Sequence, residues 1–174
     1  MIHLLLTLLL GSGVPADATP KAWSGTVVYR VEPVSVPSNF AHHVPDSVRL
    51  ETDGRRFRIE EAFASDTRVW MLAGDGTAQV YFRFVGVPVA LNEPCEATGR
   101  VLKSDAALGA APCVWPGEAL PVELEWGDGI VYRLVAERVQ PGRISADRFS
   151  PLPGYQTVDK AGLETLLLTL PARN

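Results

Sequence analysis

Residues 47 to 84 alternate apolar and polar side chains in short runs broken by glycine-containing turns, and that period of two restricts this part of the chain to β-structure. Ser47 to Thr52 is joined through Asp53-Gly54 to Arg55 to Glu60, and Val69 to Ala73 is joined through Gly74-Asp75-Gly76 to Thr77 to Phe84. A sheet with one apolar face has to cover it with its own chain, a partner or an apolar ligand. The functional question is therefore what lies on that face.

The turns set the expected registers. Asp53-Gly54 is the preferred pair for a two-residue type I′ connection. It places Thr52 opposite Arg55, Leu50 opposite Phe57, Val48 opposite Ile59, Arg49 opposite Arg58 and Glu51 opposite Arg56. Gly74-Asp75-Gly76 could form a three-residue loop, setting Met71 against Gln79 and Val69 against Tyr81, but a two-residue Asp75-Gly76 turn is preferred: Met71 then meets Val80 and Val69 meets Phe82, so Val69, Met71, Val80, Phe82 and Phe84 share one face. A three-residue loop at Gly127-Asp128-Gly129 pairs Trp126 with Ile130 and Leu124 with Tyr132, and sets Glu123 opposite Arg133. Further strands are expected over Trp23 to Glu32, ended by Pro33 and Pro37, and near Ile144 to Phe149. Lys160 to Leu170 reads either as a helix, with Leu163, Leu166, Leu167 and Leu170 at helical spacing, or as a last strand. The order of elements predicts a mostly β domain with an antiparallel sheet and no βαβ units.

The apolar run Met1 to Leu10, then Gly11, Pro15 and the small-x-small site Ala16-Asp17-Ala18, predicts a signal peptide over residues 1–18 cleaved after Ala18. Only His3 supplies charge at its start, which leaves an upstream start codon open. Residues 19–174 then form one domain, exported to the periplasm or secreted, with no later segment apolar enough to span a bilayer. Cys95 and Cys113 enclose a stretch rich in Ala, Gly and Pro and are expected to form a disulfide in such a compartment.

Composition narrows the chemistry. With 16 basic and 20 acidic residues the chain has no electrostatic footprint for nucleic acid. The densest basic cluster, Arg55-Arg56-Phe57-Arg58, is answered by Glu51, Glu60 and Glu61 and reads as a solvated face. His42 and His43 are neighbours in a Pro-flanked loop, where an extended backbone would point them apart, so neither a metal site nor a cofactor is expected. Glu60-Glu61 and Glu123/Glu125 are the acid–base candidates for an exported hydrolase, the least favoured reading, since no nucleophile elbow, zinc-binding helix or phosphate loop accompanies them.

The opening strand from Gly25, the hairpin Val48 to Ile59, Val69 to Tyr81, Cys113-Val114-Trp115 before Leu120-Pro121-Val122, and the ending Phe149-x-x-x-Pro153-Gly154-Tyr155 together resemble the LolA-like outer-membrane lipoprotein carrier superfamily. The resemblance covers most of the mature chain. It implies a strongly curved antiparallel sheet, a half-barrel with a C-terminal helix or lid, whose concave face holds acyl chains or another apolar ligand. One departure is that such carriers open with an amphipathic helix, whereas Trp23 to Val31 reads as a strand. The cover then falls to Leu163 to Leu170 or to the disulfide segment, or the face has no cover. The expected function is a non-enzymatic binding domain holding a lipid or a lipoprotein acyl chain against Val69, Met71, Val80, Phe82 and Phe84. The competing readings are ordinary core at those positions and a module that binds another envelope protein.

Overall fold

The computed structural model describes residues 22–73, 76–84, 86–95, 99–115, 117–126 and 130–169. The expected signal peptide and the tips Gly74-Asp75 and Gly127-Asp128-Gly129 lie outside these residues.

Ten strands form one open sheet: β1 (Gly25–Ser35), β2 (Ser47–Thr52), β3 (Phe57–Ala62), β4 (Thr67–Leu72), β5 (Thr77–Phe84), β6 (Val87–Pro94), β7 (Arg100–Ser104), β8 (Pro121–Trp126), β9 (Val131–Pro141) and β10 (Gln156–Val158). Their order is β10-β6-β5-β4-β3-β2-β1-β9-β8-β7. Every pairing is antiparallel except that of β10 with β6. Two meanders, β2 to β6 and β7 to β9, are joined side by side through β1. The free edges are short, three residues in β10 and five in β7, and β7 carries Lys103 and two register shifts, which blunts both edges against pairing with another chain.

The sheet is rolled. β4 and β8 are five strand spacings apart, about 24 Å across a flat sheet, yet the rings of Trp70 on β4 and Trp126 on β8 meet edge to face at 6.2 Å. Tyr132 on β9 reaches Glu61 on β3, and Tyr29 on β1 donates to the Pro121 carbonyl at the start of β8, 2.7 Å away. Into the concavity folds the segment between β7 and β8. A disulfide between Cys95 and Cys113 ties it to the end of β6, and Leu108, Val114, Trp115 and Leu120 join the core made by Val27, Leu50, Ile59, Leu72 and Leu124. Trp115 packs on Trp126 at 5.1 Å. The disulfide segment is thus the cover of the apolar face.

The helix α1 (Lys160–Thr169) forms where helical spacing placed it, started by Asp159, whose carboxylate accepts from the Gly162 amide at 2.7 Å. It is not a lid. It lies against β10 and reaches β6 through Lys160 and Glu93, Leu168 is 86% exposed, and neither Leu163 nor Leu166 belongs to a core cluster. Two further expectations at the ends of elements are corrected. β1 runs past Pro33, with a register shift against β9 where the proline has no amide to donate. The stretch from Ile144 to Phe149 contains no strand; Ala146–Phe149 is a 3-10 turn.

All three hairpin registers differ from those expected. Thr52 faces Phe57, Leu50 faces Ile59, Arg49 faces Glu60 and Glu51 faces Arg58. The loop holds four residues because the Asp53 carboxylate caps it from within. It accepts from the amides of Arg55 and Arg56 at 3.0 and 2.8 Å and from the Arg56 side chain at 2.9 and 2.7 Å. Gly54 keeps a role at φ +92°, where a Cβ would come within 2.5 Å of Ala22. Trp126 faces Tyr132 and Leu124 faces Leu134, again two residues from expectation, and Glu125 faces Arg133. The Gly74 hairpin is displaced by one: Met71 faces Gln79 and Val69 faces Tyr81, with the Ala73 amide donating to Thr77 at 3.0 Å.

After β9 the chain crosses the convex face as a strap to β10. The Arg148 guanidinium grips Glu51 through Nε at 2.9 Å and Nη2 at 2.8 Å, Phe149 lies under Arg56 at 4.6 Å, and Tyr155 packs edge-on against Tyr81 at 5.3 Å. Gly154 turns the strap at φ +81°. Beneath it Arg58, expected on a solvated face, is 6% exposed and paired with Glu51 and Glu60. Arg148→Ala is expected to cost about 1 kcal/mol, since the lost charge-assisted bonds are partly solvated. Amide exchange over residues 146–155 should then accelerate well beyond that of β2 and β3, and unchanged exchange would show that packing alone holds the strap.

Candidate functional site

The plug does not fill the concavity completely. A cavity of about 270 Å³ remains between β4 to β6 and the plug, walled by Trp70, Val80, Phe82, Leu91 and Val114, with Arg68 at its border. Alternation explains the wall: Val80 and Phe82 are two apart on β5, Leu91 pairs with Val80 across β6, and Trp70 pairs with Val80 across β4. Val114 arrives from the other side because the disulfide holds its neighbour Cys113 against Cys95. Larger hollows lie at the hairpin ends, about 590 Å³ beside Arg56, Gln79 and Phe149 and about 1060 Å³ beside Asp53, Arg56 and Arg143. Both mix apolar with charged and polar side chains: the first is bordered by Phe57, Met71 and Leu72 as well as Arg56 and Gln79, the second by Trp23 and Ile144 as well as Asp53 and Arg143.

Behind the cavity lies a buried polar knot. Glu61 is 1% exposed and faces inward with Phe57 and Ile59, as the alternation of β3 requires. One oxygen accepts from Arg68 Nε at 2.6 Å and Trp70 Nε1 at 2.7 Å; the other accepts from Arg68 Nη2 at 3.1 Å and the Tyr132 hydroxyl at 2.5 Å. Four donors offset the cost of burying the carboxylate. Both oxygens are committed, so Glu61 braces the roll from β3 to β9 and is no free base. Burial opposes the charge of Arg68, but the attraction and hydrogen bonds of Glu61 outweigh this and hold its pKa above the ordinary value.

Burial raises the pKa of both interior tyrosine hydroxyls, Tyr29 strongly and Tyr132 still further because ionisation would set it against Glu61. The folded state keeps both protons while the unfolded chain releases them near its ordinary pKa of about 10. Above that pH the unfolded state binds fewer protons, so these groups lend stability that is full below pH 10 and lost as the pH rises beyond it. Tyrosinate absorbance should therefore appear for these two residues together with unfolding, and reversible ionisation of all tyrosines in the folded state would contradict their burial.

The five expected ligand-contacting residues do not share a face. Val80 and Phe82 line the cavity, and Phe84 lies beyond them with its ring 6.3 Å from that of Phe82. Val69 and Met71 point to the convex side, where they pack with Tyr81, Ala90, Leu152 and Tyr155 under the strap. The one-residue displacement at the Gly74 hairpin is the reason, and it brings Trp70 inward instead. His42 and His43 sit on an exposed 3-10 turn (Ser38–His43), not on extended backbone, and their rings lie 4.1 Å apart. Among the described residues no group of three His, Cys, Asp or Glu side chains is placed to hold a metal ion. Glu123 and Glu125 both lie near Arg133, at 3.8 and 3.9 Å, and Arg100 also pairs with Glu125 at 2.9 Å.

Fold and site together define a mostly β domain, an open rolled sheet wrapped on a disulfide-tied plug with a small apolar cavity left inside. No family model matches the chain, and no curated protein matches it. No helix among the described residues is long and apolar enough to cross a membrane.

Proposed function

We propose that this chain is an exported, non-enzymatic binding domain that holds one small apolar or single-chain amphiphilic molecule in the cavity between β4 to β6 and the plug. The observation that carries this reading is the apolar wall of Trp70, Val80, Phe82, Leu91 and Val114 around about 270 Å³ of unfilled space. That volume is just below the range of about 300–1,000 Å³ usual for drug-sized ligands. It fits one short chain and is too small for the several acyl chains of a lipoprotein anchor, so shuttling of whole lipoproteins is not part of the proposal. The disulfide accords with an oxidising, extracytoplasmic compartment, and the leader read in residues 1–18 would take the chain there.

Displacement of an environment-sensitive apolar dye by decanol from the delipidated protein tests the reading, with Val80→Trp as the variant that fills the space. Decanol should displace the dye from the native chain and bind Val80→Trp at least about tenfold more weakly, while the variant still unfolds cooperatively. Equal binding by both proteins, or no displacement from either, would overturn the assignment to this cavity.

A further inference from the structure

We infer that the molecule taken by this cavity carries an anionic head, a carboxylate on a single alkyl chain, which binds Arg68 while the tail lies against Val80, Phe82, Leu91 and Val114. The inference rests on the proposed binding function and adds the chemical class of the ligand.

Arg68 is the only basic side chain among the described residues that border the cavity. Its guanidinium is fixed before any ligand arrives. Nε and Nη2 are held by Glu61, and the guanidinium carbon lies 5.4 Å from the centre of the Phe63 ring and 5.6 Å from that of Trp70. Glu61 takes Nε and Nη2, and the side chain is 36% exposed, so part of a planar, charged fork is open to a ligand. Because the arginine is already ordered, an incoming anion bears little of the entropy cost of arranging its partner. The other charged group at the cavity, Glu93, would favour a cationic head, but Lys160 sits 3.6 Å from its carboxylate and already answers it.

A head-group series on the unmodified protein separates the alternatives: decanoate, decanol and decyltrimethylammonium at neutral pH. Decanoate should bind at least about tenfold more tightly than decanol, with the cation weakest, and the preference should shrink as salt is raised. Arg68→Lys keeps a charge for Glu61 but loses the planar fork, and it should reduce the decanoate-to-decanol ratio to about twofold. If decanoate and decanol bind equally, the anionic head is refuted while the binding function stands. If none of the three binds, the binding function itself falls. Should the lysine variant fail to fold, the head-group series alone decides.

Discussion

Glu61→Ala is expected to destabilise the protein by about 3 kcal/mol, the lower end of the range for breaking a buried ion pair. The substitution takes away the carboxylate that accepts from the Arg68 guanidinium, the Trp70 indole and the Tyr132 hydroxyl, and leaves an empty space between them. The lower end applies because Arg68 is partly exposed and can recover water. In a domain of this size the midpoint of thermal unfolding should fall by roughly 6–12 °C. Glu61→Gln retains an acceptor and should lose about half as much. Tyr132→Phe removes a single donor and should cost about 1 kcal/mol. The cost of combining it with Glu61→Ala should be clearly less than the sum, because the alanine has already removed the partner. Urea unfolding of the four variants measures this. Additive losses, or a Glu61→Ala loss below about 0.5 kcal/mol, would mean that the knot does not brace the roll of the sheet.

Loss of the disulfide should have a comparable effect by a different route. With Cys95 and Cys113 at a sequence separation of 18, the chain-entropy treatment gives about 3 kcal/mol for the paired replacement Cys95→Ala and Cys113→Ala. The plug should suffer first. Its apolar residues join the core from a segment with only short regular pieces, a 3-10 turn at Ala106–Leu108 and a bridge between Ala110 and Ala119. Near-ultraviolet circular dichroism from the packed Trp115 and Trp126 rings should weaken before the β-sheet signal is lost. If both signals disappear together at the native midpoint, packing alone secures the plug.

The faces of the sheet were more legible in the sequence than its registers. In the first hairpin, the tight Asp53-Gly54 turn would have set Arg49 against Arg58. The four-residue loop instead sets Arg49 against Glu60 and Glu51 against Arg58, exchanging a repulsive pair for attractive ones. Because that displacement is two residues, Leu50 and Ile59 stay on the core side. The same holds for Leu124 and Leu134 near residue 126. At the Gly74 hairpin the displacement is one residue, so β4 and β5 change faces relative to each other, and Val69 and Met71 do not share the face of Val80, Phe82 and Phe84. The signal was present: Trp70 and Leu72 alternate with Val69 and Met71, and local alternation cannot choose between two apolar faces. What chooses is the distant Trp126, which Trp70 meets only once the sheet has rolled.

Glu61 reads with Glu51 and Glu60 as part of a solvated face, yet it is in phase with Phe57 and Ile59 on the apolar side of its strand, and the structure buries it. Its partners were not legible, because Tyr132 lies 71 residues away and is brought close only by the curvature. The strap was visible as Phe149-x-x-x-Pro153-Gly154-Tyr155, although its place on the convex face depends on the pairing of Arg148 with Glu51.

The central claim, that the rolled sheet and its plug leave one ligand-sized apolar cavity, is tested most directly by methyl-resolved NMR during titration with decanoate. Methyl signals of Val80, Leu91 and Val114 should shift together and saturate at one equivalent, while Val69, Met71 and Leu152 on the convex side remain still. Shifts centred on the convex residues, or none at Val80, Leu91 and Val114 up to saturating ligand, would contradict it.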